Sequence, residues 1–224
     1  MIVLLFLLPL TDSIIPEDPA IGFFSQDLHA GFMIENRFQI KELTGGYLAL
    51  WGRRWSFLVN GYGLGPLKIY RIRTHHSTHI IKNLAVGYGL SAHIYQFNDG
   101  NGHGTYGIDG GISYRDQLLS VILAGFDLNR PGLTNQDQIT PRFSFAIAIG
   151  QNPSIQFQLH HEGFLSIYTG FSMPLSRVLS ISSGYQNNPR EISFAIALSL
   201  KPCLTYAGSL HEILGLSHRV GARL

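Results

Sequence analysis

The chain has 224 residues, a net charge of +2 and 13% charged residues, whereas soluble domains average about 25%. No basic run indicates a nucleic-acid partner, and no apolar run approaches the ~20 residues that a membrane-spanning helix requires. Cys203 is the single cysteine, which excludes an intrachain disulfide and a CxxC metal or redox motif.

The N-terminal segment differs from the rest of the chain. Residues 1–10 form an apolar run of the length of a signal-peptide core, but no Lys or Arg precedes it and no A-x-A site follows it. Pro16 and Pro19 then predict a loop. We assign residues 1–20 to a signal-peptide remnant or hatch-like segment, with a short plug or first strand as the alternative, and residues 21–224 to one barrel domain.

Strand signals follow one another from residue 28, with turns rich in Gly, Asn and Pro between them. The first predicted strands cover residues 28–38, 47–51, 55–63, 67–80, 83–97 and 105–115. Residues 118–129 are apolar on both faces in their first half, so their pattern indicates no preferred face. Residues 129–138 are polar and contain Pro131 and Gly132, which predicts a loop.

The alternation is clearest from Arg142 to the C-terminus. Between residues 191 and 201, the even positions carry large apolar side chains and most odd positions carry Ser or Ala. Residues 142–150 and 214–224 follow the same period of two, which is typical of a strand with two different faces. The other predicted strands cover residues 154–160, 164–173, 177–186 and 203–210.

The strand face that carries Ser and Ala indicates which side of each strand points outward. A soluble sandwich turns its apolar face inward and shows water a face rich in charge, which these strands lack. A barrel in a bilayer places large apolar residues against lipid and small or polar residues toward the lumen. We therefore predict an all-β, closed, antiparallel transmembrane β-barrel of about 14 strands, in the lipid of a Gram-negative-type outer membrane. A soluble all-β binding protein is the alternative.

The inward positions of the predicted strands carry the candidate functional residues. In residues 67–80, the odd positions form a cationic or titratable row, unless part of this row lies in a loop above the membrane. The candidate lumen-lining residues are Arg71, Arg73, His75, His79, Asp109, Arg115, Arg142, Gln156 and Gln158.

No pattern in the sequence indicates catalysis. His75 and His76 would point to opposite faces of a strand, and no Cys, Asp or Glu lies beside them at a zinc-site spacing. His160-His161-Glu162 lacks the helical H-E-x-x-H arrangement, and no nucleophile elbow or nucleotide-binding loop is present. We predict a protein that is not an enzyme and has no cofactor or metal.

Four stretches together carry a family resemblance, namely Asp18-Pro19-Ala20 and residues 67–71, 184–189 and 214–220. They resemble the FadL-like outer-membrane barrels, in particular the PorV/PorQ branch, and the first stretch is similar to that family's Asn-Pro-Ala hatch signature. Asp18 replaces the family's Asn, and Leu224 replaces the usual terminal aromatic residue.

The resemblance implies one of two functions. The FadL side implies a channel for hydrophobic or small solutes through a hatch-gated lumen, with a hydrophobic small molecule as ligand. The PorV/PorQ side implies a non-transporting component of a protein secretion or surface-assembly pathway, with secretion-system proteins as partners. The cationic inner row favours transport, because it would attract anionic head groups such as fatty carboxylates.

Overall fold

The computed structural model describes residues 18–20, 24, 27–40, 43–64, 67–97, 100–132, 138–150 and 153–224, and these residues form fourteen strands. No helix in these ranges is long and apolar enough to span a membrane. The strands are β1 (His29–Asn36), β2 (Thr44–Gly52), β3 (Trp55–Leu64), β4 (Leu67–Ile81), β5 (Leu84–Phe97), β6 (Gly102–Arg115), β7 (Leu119–Phe126), β8 (Arg142–Ile149), β9 (Ser154–His161), β10 (Leu165–Pro174), β11 (Leu179–Asn187), β12 (Arg190–Leu198), β13 (Cys203–His211) and β14 (Gly215–Arg223).

Every strand pairs antiparallel with its neighbours in sequence, and the first strand closes the sheet on the last. In this closing pair Gly31 lies opposite Arg223 and Asn36 lies opposite His218. A closed sheet has no edge with unpaired backbone groups, which is the condition for strands to cross a bilayer. The predicted all-β antiparallel barrel of about 14 strands is therefore confirmed.

The two ends of the barrel differ in their connections. The start of β1 and the end of β14 lie at one end, which we call the terminal end, together with the short turns that follow the even-numbered strands. The opposite loop end contains residues 127–141, the longest connection between strands. Bacterial barrels have short turns on the periplasmic side and longer loops outside.

The wall is uneven beside β7. Strands β4 to β6 have 15, 14 and 14 residues, whereas β7 has 8. The β6–β7 ladder covers only the pairs from Gly110↔Gly125 to Arg115↔Ser120. Nearer the loop end, the Asn129 side chain accepts a hydrogen bond from Ile108 N and donates one to Tyr106 O. The Asn129 side chain and one bond from Leu128 N to Ile108 O thus take the place of a ladder at this point.

Large apolar side chains lie on the outside of the barrel and small or polar ones inside, as the alternation predicts. On β12, Ile192 is 60% exposed, whereas Ser193 and Ala195 are buried. The first strand in the structure, His29–Asn36, is shorter than the predicted residues 28–38, because the chain turns at Arg37 and Phe38.

Two parts of the inner face are apolar, one on β1 to β3 that includes Met33, Trp51 and Leu58, and one on β7. Ile122, Ala124 and Phe126 are buried and pack with Ala146 and Ala148 of β8. The sequence could not assign a face to this strand, since its outward Leu123 is equally apolar. The lumen therefore contains an aromatic ring, Phe126, at the end of β7.

The placement of β12 predicts that a charge is tolerated very differently at two nearby positions. Ile196→Arg places a cation on the exterior, where it costs roughly 2–4 kcal/mol near the bilayer midplane, whereas Ser199→Arg lies in the turn after β12 and costs about 0–1 kcal/mol. Urea unfolding of both variants in lipid vesicles measures the difference. Equal losses would contradict the assignment of the outer face.

Candidate functional site in the barrel lumen

A cluster of buried charged side chains occupies the lumen beside β4, β5 and β6. Arg73 and His75 of β4 point inward, as does Asp109 of β6, and all three are buried. The β-pairing brings them together, because Arg73 lies opposite Ser91, and Gly89 lies between His75 and Asp109 across β5. The period of two in each strand thus produces a shared inner cluster.

Two carboxylates organise this cluster. Asp109 Oδ2 is 3.1 Å from His75 Nε2, and Asp127 Oδ1 accepts hydrogen bonds from Ser91 Oγ at 2.8 Å and His93 Nε2 at 2.6 Å. The two acids are linked directly, since the backbone N–H of Asp127 donates to Asp109 Oδ1 at 2.9 Å. We call these five residues, with Arg71 and Arg73, the central network.

Arginine side chains balance the carboxylates. Arg73 Nε is 3.7 Å from Asp109 Oδ2, and Arg73 Nη2 is 4.0 Å from Asp127 Oδ2. The Phe126 ring lies between two guanidinium groups, with Arg73 and Arg142 centred 4.6 Å and 4.4 Å from the ring centroid. Cation–π contacts of this kind are strongest where water is excluded.

The hydrogen bonds of His93 define its tautomer. Arg71 Nε, which can only donate, lies 3.1 Å from His93 Nδ1. His93 Nδ1 must therefore accept, so the proton resides on Nε2 and is donated to Asp127. A neutral His93 is held between a cation and a carboxylate.

The remaining candidate residues lie elsewhere. Gln156 and Gln158 are buried on the inner face of β9, and among the described residues they form no hydrogen bond with the central network. His79 is exposed near the end of β4, where the pairing with β5 shifts register between His79 and Ile81. His93, Asp127 and Phe126 belong to the cluster but were absent from the sequence-based set.

The N-terminal turn of residues 18–20 lies inside the barrel wall. Asp18 and Ala20 are buried, and Asp18 Oδ1 accepts a hydrogen bond from Ala20 N. Arg115 Nη2 binds Asp18 Oδ2 at 3.1 Å. A Cβ at Gly87 would lie 2.1 Å from Pro19 O. The turn can therefore lie against β5 only because residue 87 is glycine. Residues 1–17, the rest of the predicted hatch or signal segment, lie outside the described residues.

A second network lies toward the loop end on the side of β1 and β14. Glu35 Oε1 accepts from Arg219 Nε at 2.9 Å and lies 3.0 Å from Arg37 Nε. Tyr47 Oη donates to Glu35 Oε2 at 3.1 Å. One carboxylate thus joins two guanidinium groups across the seam between the first and last strands.

A cavity of about 470 Å³ opens beside this second network, and we call it the loop-end cavity. Its lining residues are Glu35, Arg37, Phe38, His160, Glu162, Phe164, Ser166, Gln186, Asn188, Pro189, Glu191, Ser209, Ser217 and Arg219. Burial alone would raise the pKa of Glu162, but the His160 imidazole, 3.6 Å away, favours the carboxylate and the pKa falls to about 2. The cavity therefore combines aromatic walls with ionised groups.

The described part of the chain holds no group of three or more His, Cys, Asp or Glu arranged to bind a metal. His75, His93, Asp109 and Asp127 instead pair with each other and with arginines. The cluster can therefore hold paired charge within the lumen.

Comparison with solved structures identifies the architecture. The toluene transporter TbuX of Ralstonia pickettii aligns with a TM-score of 0.65 and 9% identity, covering 92% of this chain and 90% of that chain. The monoaromatic hydrocarbon channel CymD aligns with a TM-score of 0.62 and 10% identity, at 92% and 90% coverage. A Pseudomonas aeruginosa FadL homologue aligns with a TM-score of 0.58 and 9% identity, also at 92% and 90%.

These likenesses establish the fold, which is the 14-stranded barrel of FadL-type channels. No protein-family model matches the sequence, and no curated protein matches it.

The central network predicts a large cost for removing its buried guanidinium. Arg73→Met leaves Asp109 and Asp127 short of positive charge and should destabilise the barrel by about 3 kcal/mol. Arg190→Met is the control, because its ion pair with Glu212 is exposed and contributes about 0–1 kcal/mol. Urea unfolding of both variants in lipid vesicles tests this, and similar midpoints would contradict it.

The contact at Gly87 predicts that one methyl group displaces the N-terminal turn. In a Cys203→Ser, Ala20→Cys background, Gly87→Ala should speed labelling by a water-soluble maleimide about tenfold, which corresponds to a ~1.4 kcal/mol shift in local opening. Gly104→Ala is the control, since the nearest atom to its added Cβ, His93 O, is 3.7 Å away. Unchanged labelling in Gly87→Ala would show that the turn is not held there.

Proposed function

We propose that the chain is an outer-membrane β-barrel that acts as a channel for hydrophobic or small solutes. The observation that carries this proposal is the inverted arrangement of side chains, with large apolar residues outside a closed sheet and ionised residues inside it. Such an arrangement suits a bilayer, which solvates the outer face and leaves the lumen for polar groups. The resemblance in fold to a toluene transporter and a monoaromatic hydrocarbon channel supports the channel function.

The proposed route begins at the loop-end cavity, whose Phe38 and Phe164 offer apolar walls. Below it, a solute meets a lumen narrowed by the central network and, toward the terminal end, by the turn of residues 18–20. This turn is the described part of the proposed hatch-like segment. A fatty carboxylate would compete with Asp109 and Asp127 for Arg71 and Arg73, so we infer that anionic solutes loosen the network as they pass.

A second candidate function follows from the same network. A lumen filled by paired charges also suits a barrel that transports nothing and serves as a PorV/PorQ-like component of protein secretion or surface assembly. Such a barrel would engage its partner proteins through loop-end residues such as 127–132 and 138–141 rather than through its lumen.

Reconstitution tests the channel proposal. The purified barrel in liposomes should admit labelled fatty acid and toluene, and Arg71→Ala should lower fatty-acid uptake about tenfold while sparing toluene, because it removes one charge–carboxylate attraction of ~1–2 kcal/mol. Lys68→Ala, on the outer face of the same strand, is the control and should leave both rates unchanged.

Two results would reject transport. The first is that the wild-type barrel passes neither ions nor solute, and the second is that pull-downs recover a stable protein partner while uptake stays at the level of empty liposomes. Membrane fractionation with a heat-modifiability assay tests the location separately, since a soluble chain with unchanged gel mobility on heating would contradict a membrane barrel.

A further inference from the structure

Exposed cations collect at the terminal end of the barrel. Five exposed Lys or Arg side chains lie in four of its hairpin turns. None of these five forms an ion pair with a residue that the structure describes. Asp116 lies at the same end, but its carboxylate already accepts hydrogen bonds from Leu118 N, Leu119 N and the Tyr114 hydroxyl. The five cations are Arg53, Arg54, Lys82, Arg177 and Lys201.

These cations occupy one continuous arc of the rim. The arc runs from the β10–β11 turn through the β12–β13 turn and the β14–β1 seam to the β2–β3 and β4–β5 turns. The two hairpins outside the arc, β6–β7 and β8–β9, contain no Lys or Arg between their strands. The charge is therefore a property of one side of the rim and not of turns in general.

Each part of the arc also carries an exposed apolar side chain next to the cation in sequence. Trp55 follows Arg54, Ile81 precedes Lys82, Val178 follows Arg177 and Leu200 precedes Lys201, and all four apolar residues are exposed. An aromatic or aliphatic group beside a Lys or Arg is the arrangement by which proteins anchor at the boundary between hydrocarbon and headgroups.

The β2–β3 turn provides an independent observation. Gly52 pairs with Trp55, so Arg53 and Arg54 form a two-residue loop, and both have positive φ, 51° and 75°. Loops of this kind strongly favour Asn-Gly, because residues with a bulky side chain adopt positive φ at a cost. Two arginines in this turn work against its conformation, which indicates that the side chains serve a contact outside the chain.

We propose that this arc of the terminal end is a binding surface for the headgroups of anionic phospholipids. The proposal rests on the proposed membrane-spanning barrel and adds a lipid preference to it. Each cation near a negatively charged membrane surface strengthens binding severalfold, and the neighbouring apolar residues fix the depth at which the guanidinium and ammonium groups meet phosphate. An acidic protein would pair with the cations, but the four apolar side chains would still face lipid rather than that protein. Anionic phospholipid accounts for both kinds of side chain.

The test compares two lipids with identical acyl chains. Native mass spectrometry of the detergent-solubilised barrel should show tighter binding of phosphatidylglycerol than of phosphatidylcholine, and added salt should weaken this preference. Arg53→Asn with Arg54→Gly should lower the preference about tenfold while keeping or improving the stability of the hairpin. Lys68→Gln with Arg130→Asn removes two exposed cations from the loop end and should leave the preference unchanged.

Four outcomes would overturn the proposal. They are equal binding of the two lipids by the wild-type barrel, an unchanged preference in the Arg53/Arg54 variant, an equal loss in the loop-end control, and displacement of phosphatidylglycerol by inorganic phosphate alone. Because the heat-modifiability assay reports the folded membrane barrel independently, a barrel that inserts normally but shows no lipid preference would reject this surface and leave the proposed function intact.

Discussion

The pairing of β1 with β14 is the constraint on which the rest of the structure depends. It satisfies the backbone groups that an open sheet would leave at two edges, and unsatisfied groups are too costly to expose to hydrocarbon. Once the sheet is closed, each strand has one face outside and one inside, so a single alternation determines both the apolar exterior and the contents of the lumen. Ions in the middle of the spanning strands must then reside within the barrel.

Placing ions in a narrow lumen creates its own requirement. A buried charge is strongly unfavourable unless a partner and hydrogen bonds compensate it, and removing one member of a pair costs more than the pair contributes. Among the described residues, this requirement is met by the central network around Asp109 and Asp127, by the set around Glu35 with Arg37 and Arg219, and by the pair of Arg115 with Asp18. The central network lies at β4 to β6 and the end of β7, the set around Glu35 lies at β14, β1 and β2, and the loop-end cavity lies beside this second set.

The strands and their faces could be predicted from the sequence, because the period of two is local: Ser193 and Ile192 differ in size and point in opposite directions whatever surrounds them. The inward direction of Arg73, His75 and Asp109 followed in the same way. The contact between His93 and Asp127 could not, because it joins a strand to a turn 34 residues later. Phe126 was missed since β7 is apolar on both faces, and the register shift after His79 has no sequence signal.

The short ladder between β6 and β7 has a mechanical consequence. Elsewhere, neighbouring strands are held along their length by regular backbone bonds, and separating them means breaking many bonds at once. Beside Tyr106 and Ile108, the described residues contribute the Asn129 side chain and the bond from Leu128 N to Ile108 O. A seam held by so few bonds opens at a lower free energy than the rest of the wall, and amide exchange should be fastest there. Strand pairing in the described part of the barrel is thus stable around most of the wall, and the seam between β6 and β7 is where two strands can separate at the lowest free energy.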